Sequence, residues 1–269
     1  MNKNENTAVK LEDEKTLLEE YEDLLARREH LLKVSGSYQT CYTKEFGSLL
    51  TANFEIKIEC IKLKKTISYC RRRLNHSLPI DTARMQEAVE KDMKLYYEEL
   101  KDMARETEAA KKAKSVGDFR FNRAKKIYRR LTKLLHPDIN RKTMENDSLR
   151  DLWEKIMAAY HSSNVDVLED LEVLVRKTLL ELGDAGFEVD LTDIEDKIER
   201  VEMQINSILT TEPYTYGELL ASEERVKGRK NQLKEEHESF SEYLESLKST
   251  LDEILSGSAT RMSFVWKQG

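Results

Sequence analysis

Proline and glycine are scarce in this chain: three prolines and nine glycines in 269 residues. So few helix breakers, with 36% charged residues and much Glu, Lys and Leu, exclude a collagen-like or low-complexity chain and argue against strands. The three cysteines, Cys41, Cys60 and Cys70, are odd in number and lack metal-ligand spacing. Reduced thiols in a cytoplasmic protein are therefore expected. The N-terminus has no apolar signal core, and no apolar stretch approaches membrane-spanning length. There is no glycine-rich phosphate loop and no nucleophile elbow. His30, His76, His161 and His237 share no ligand spacing. The sequence thus offers no enzyme site, no metal site and no cofactor site.

What is present is helical periodicity. The expected fold is all-α, with elongated bundle or coiled-coil arms flanking an inserted helical module. Leu11, Leu18, Leu25 and Leu32 are spaced by seven, as are Leu17, Leu24 and Leu31. They predict a coiled-coil helix over about 8–34, ended by Ser35-Gly36-Ser37. A second pattern runs from Phe46 through Ile56, Cys60, Leu63, Ile67 and Cys70 to Leu74. Asp81 or Thr82 is expected to cap a third helix, and the short connections favour an antiparallel bundle or hairpin.

Further caps are expected at Asp118, at Ser148 with Asp151, at Thr192 with Glu195 and at Thr215 with Glu218. Gly183-Asp184-Ala185-Gly186 reads as a linker. Beyond it, Ile194, Ile198, Val201, Ile205 and Ile208 form a seam. The last helix carries Val226, Leu233, Phe240, Leu247 and Ile254 in one seven-spaced column. At roughly 1.5 Å per residue it overhangs its predecessor by about half its length. The uncovered stripe calls for the Leu11–Leu32 column or a second copy of the chain. The expected segments are 1–117 (helical arm), 118–183 (inserted module), 190–256 (antiparallel hairpin) and 257–269 (tail).

The inserted module holds the one motif with functional content. Ala124, Ile127, Tyr128, Leu131, Leu134 and Leu135 make one apolar stripe, and the opposite face is basic. Ten basic residues stand against one acid between Lys111 and Lys133. His136-Pro137-Asp138 follows, and Pro137 stops the helix. A second amphipathic helix carries Leu149, Leu152, Trp153, Ile156, Ala159 and Tyr160. Two such helices joined by a turn should pack antiparallel, with the tripeptide exposed at the tip.

This combination resembles the second and third helices of the J-domain, the module by which DnaJ-type co-chaperones engage a DnaK-type chaperone. Tyr128-Arg129-Arg130-Leu131, His136-Pro137-Asp138, Trp153, Ile156 and Ala159-Tyr160 fall at the family's spacing. The resemblance covers roughly residues 118–182. The chain departs from the family at Leu134 and Ile139, where basic residues are usual, and in lacking a recognisable first helix. The resemblance implies that His136, Pro137 and Asp138 contact the partner. It implies that Arg123, Lys125, Lys126, Arg129, Arg130 and Lys133 dock on an acidic DnaK-type surface. The coiled-coil arms would then bind a client protein or pair as a homodimer. Two other readings stand beside this one: a structural protein with a degenerate module, and a nucleic-acid-associated protein using the basic helix. The acidic net charge of −6 weighs against nucleic acid.

Overall fold

The computed structural model describes residues 2–113, 117–182 and 193–266, with side chains for 16–113, 117, 119–182 and 193–257. Among them are nine helices and no strand: α1 (Asn2–Asn75), α2 (Thr82–Lys112), α3 (Asp118–Leu135), α4 (Lys142–Glu145), α5 (Asp147–His161), α6 (Val165–Glu181), α7 (Ile194–Thr210), α8 (Tyr216–Leu220) and α9 (Glu223–Trp266). No helix among the described residues is long and apolar enough to cross a membrane.

The chain divides into two compact units that cut across the linear segments. One comprises Met1–Gln39 with Lys114–Gly217, the other Thr40–Ala113 with Glu218–Gly269. The expected break at Ser35-Gly36-Ser37 does not occur, and α1 runs through it. One glycine inside a helix costs only about 1 kcal/mol. The Ser37 hydroxyl donates to the Lys33 carbonyl at 3.1 Å instead of competing with the helix. Buried Leu31 and Phe46 anchor the helix on either side of the triplet.

The core of the first unit is the packing of α3, α5 and α6. α3 supplies Ile127, Tyr128, Leu131 and Leu135, α5 supplies Leu149, Ile156 and Tyr160, and α6 supplies Leu168, Leu171 and Val175. Each large apolar side chain buried there stabilises by roughly 1.5–3 kcal/mol. Tyr128 stacks on Tyr160, with ring centroids 4.0 Å apart. His136 meets Trp153 edge-on at 5.1 Å, so α3 and α5 run antiparallel. Arg120–Asp166, Arg123–Glu169 and Arg130–Glu172 pair in ascending order, so α3 and α6 run parallel.

Three expected caps shift. Gly117, not Asp118, is the N-cap of α3. Asn146 caps α5, its side chain accepting from the Ser148 and Leu149 amides, so the Ser148–Asp151 box is not the cap. α9 starts at Glu223 rather than near Thr215, and the Ser222 hydroxyl accepts from the Arg225 amide. Asn164 caps α6 and Asp81 caps α2. Gly183 to Gly186 and Thr192 lie outside the described residues.

A second layer in the same unit joins the first part of α1 to α7. Tyr21, Leu25 and Leu31 pack with Ile194, Ile198, Val201 and Ile205. Leu17, Leu18 and Leu24 pack against the same cluster, so the middle of the leucine pattern meets α7.

In the second unit, residues from 40 onward in α1 pack with α2 and α9. Ile58 meets Val89 and Met93 of α2. Cys60, Leu63 and Ile67 meet Leu244, Leu247, Leu251 and Ile254 of α9. The stripe on the last helix is therefore covered within the chain by Cys60 to Ile67, whereas Leu18 and Leu25 of the N-terminal column pack with α7. Asn53 Nδ2 donates to the Leu233 carbonyl at 2.8 Å, and His237 Nδ1 donates to Asn53 Oδ1 at 3.1 Å. All three cysteines are free, and burial raises the thiol pKa of Cys60 and Cys70.

Candidate functional site

The site is the turn between α3 and α5 together with the basic face of α3. Pro137 ends α3, and His136 is its C-cap, donating its amide to the Thr132 carbonyl at 2.9 Å. The turn closes with the Ile139 and Asn140 amides both donating to the His136 carbonyl. The Asn140 side chain donates to the Leu134 carbonyl at 3.1 Å, satisfying one of the last carbonyls of α3.

The turn is not the exposed tip expected from the sequence. His136 is only 5% accessible; Pro137 is half-buried and Asp138 exposed. Two things cover it. Trp153 of α5 lies against the imidazole. Ile139 is buried with Leu25 of α1 and Ile198 of α7. An isoleucine in that place gives the turn an apolar foot to bury, which a charged residue would not.

The environment sets the protonation of His136. Burial lowers its pKa to about 4, the nearby Asp138 carboxylate opposes that shift, and the Arg28 charge adds to it. The Asp138 amide donates to His136 Nδ1 at 3.1 Å, so Nδ1 is the acceptor and the ring is the neutral Nε2–H tautomer.

The basic face of α3 is largely neutralised from within. Arg123 pairs with Glu169, and Arg130 pairs with Glu172 in a two-contact arrangement of 2.8 and 2.7 Å. Arg129 pairs with Asp23 and Lys133 with Glu22 at 2.6 Å, both acids on α1. Lys125 and Lys126 are the two named cations for which no carboxylate partner is found among the described residues.

Several residues of this site carry no local signal in the sequence. Arg28 donates to Glu29 at 2.9 Å and reaches Gln204 of α7 at 2.9 Å. Lys33 is buried with its ammonium 4.1 Å from the Tyr160 ring centroid and 4.6 Å from that of Phe121. Its Nζ has no hydrogen-bond partner, and burial lowers its pKa to about 8. His30 lies beside it, 3.3 Å from the Tyr160 hydroxyl, its pKa lowered to about 4 by burial and then by Lys125 and Lys33. These α1 residues come into place only because α1 crosses α3 in the antiparallel sense. No three His, Cys, Asp or Glu side chains among the described residues gather as a metal site.

No family model, no curated protein and no solved structure matches the chain.

Proposed function

We propose that residues 118–182 form a J-type docking module that recruits a DnaK-type chaperone in the cytoplasm and stimulates its ATP hydrolysis, and that α1 holds the module closed. The observation that carries the reading is the antiparallel α3–α5 hairpin with His136-Pro137-Asp138 at its turn and a basic helix leading into it. The chain would act as an adaptor rather than an enzyme. Its coiled-coil arms would hold a client protein or a second copy.

The closed turn fixes the energetics. Releasing Ile139 alone costs roughly 1.5–3 kcal/mol, and each of the two α1 ion pairs adds up to about 1 kcal/mol. The sum, about 1.5–5 kcal/mol, puts the open fraction between about one in ten and one in five thousand, and the apparent affinity of a partner falls by that fraction. A client or partner that draws α1 away would restore it.

The test is a DnaK-type ATPase assay with the full chain, with Glu22→Lys/Asp23→Lys and with His136→Gln. The double variant should stimulate more than the parent, and His136→Gln should abolish stimulation in either background. Absence of stimulation by parent and double variant alike would overturn the reading. A second reading, a structural helical adaptor in which the J-like hairpin is an internal brace, is favoured by the burial of His136 and the pairing of five of the seven α3 cations.

A further inference from the structure

Two sets of α1 cations in the second unit differ. Those facing α2 are paired: Lys62 with Glu90 at 2.7 Å and Lys65 with Asp92 at 2.9 Å. Those facing α9 are not. Lys64, Arg71 and Arg72 are exposed, and none has a carboxylate partner among the described residues. With Ser68 they lie on one helical stripe at i, i+4, i+7 and i+8. They line one wall of an open cleft of about 590 Å³, and Tyr243, Ser246 and Thr250 of α9 line the other. No acid lines it. Ile67 and Leu247, both buried in the α1–α9 seam, stand between the walls.

Positions flanking a two-helix seam ordinarily match Lys or Arg on one helix with Glu on the other. Here the second helix lines the cleft with hydroxyls and one aromatic ring, so three positive charges lie along one stripe with no carboxylate lining the cleft. Complementing the helix dipole at the C-terminus of α1 accounts for Arg71 and Arg72 but not for Lys64, about three turns upstream. Tyr243 is 40% accessible, and Lys64 Nζ lies 5.4 Å from its ring centroid.

We infer that this cleft binds single-stranded nucleic acid. Lys64, Arg71 and Arg72 neutralise successive phosphates and Tyr243 provides a face for one base. The seven residues from Lys64 to Arg71 span about 10 Å, enough for two or three successive phosphates of a single strand. A cationic groove beside an exposed aromatic ring is the combination by which proteins bind single strands without sequence preference. The site is separate from α3 and does not depend on the J-type reading.

The experiment is fluorescence anisotropy of a labelled oligouridine with the full chain between about 50 and 200 mM salt, with inorganic polyphosphate as competitor. Binding should weaken with salt with a log–log slope of about −2, three contacts at roughly −0.7 each. Arg71→Glu/Arg72→Glu should lower affinity about tenfold or more, and the milder Arg71→Gln/Arg72→Gln should follow it in direction. Arg129→Glu/Arg130→Glu should leave affinity unchanged. Tyr243→Ala should cost the oligonucleotide about tenfold and polyphosphate nothing. No binding at the lowest salt, or binding that survives both Arg71/Arg72 variants with helix content intact, would overturn the site. Equal affinity for polyphosphate with no effect of Tyr243→Ala would overturn its assignment to nucleic acid.

Discussion

Lys133 Nζ and Glu22 Oε2 meet at 2.6 Å although 111 residues separate them in the chain. With the neighbouring Arg129–Asp23 pair, this contact lays an acidic edge of α1 along the basic face of α3. An acidic surface of another protein would have to displace that edge to reach the same two cations.

Reversing both acids, Glu22→Lys with Asp23→Lys, should therefore loosen the cover over the turn. The expected loss of stability is about 1–2 kcal/mol, since these pairs are partly exposed. Amide exchange at Ile139 and Asn140 should quicken by more than the global loss accounts for. Uniform exchange across the first unit would show instead that the turn opens only on global unfolding.

The histidine in the turn makes this unit acid-sensitive. His136 has a pKa of about 4 in the folded chain against 6.5 when unfolded. The unfolded state therefore binds more protons between those values, and stability rises with pH through that window. Going from pH 7 to pH 5 should cost about 2 kcal/mol through this group. Denaturant midpoints at the two pH values measure it, and His136→Gln should reduce the difference.

Gly47 in α1 lies against Thr107 of α2. A Cβ placed there would sit 2.6 Å from the Thr107 hydroxyl oxygen. Alanine should gain about 1 kcal/mol in helix propensity, yet Gly47→Ala should destabilise by about 1–2 kcal/mol, because Thr107 is buried and β-branched and has little freedom to yield. In a Thr107→Ala background the same substitution should become stabilising. Thermal denaturation of the four proteins closes the cycle.

Asn53 ties α1 to α9 through the Leu233 carbonyl and the His237 ring. Asn53→Ala should cost about 1–3 kcal/mol, the range for removing one partner of a buried hydrogen bond. Unchanged stability in urea titrations would mean that water replaces the amide at no cost.

Much of this protein is local and was legible. The all-α class, the α2 cap at Asp81, the α3 and α5 stripes with Pro137 between them, and the isoleucine seam of α7 all follow from periodicity and capping chemistry. The misread elements were those where a local preference met a tertiary one. Ser35-Gly36-Ser37 is a plausible helix stop, but a penalty of about 1 kcal/mol is outweighed by the burial of Leu31 and Phe46 on either side.

The amino-acid order by itself determined which residues form seams and which carry charge. Only the tertiary structure decided which seam meets which: Leu17 to Leu31 of α1 with α7, and Cys60 to Ile67 with α9. One apolar stripe is much like another, since burial is non-directional and scales with area. Pairing among stripes therefore depends on chain connectivity and the fit of whole helices. The same holds for His136. The motif is written in three adjacent residues, but the packing of Trp153 on His136 and of Leu25 near the adjoining Ile139 depends on side chains 17 to more than 100 positions away, and no local pattern encodes them.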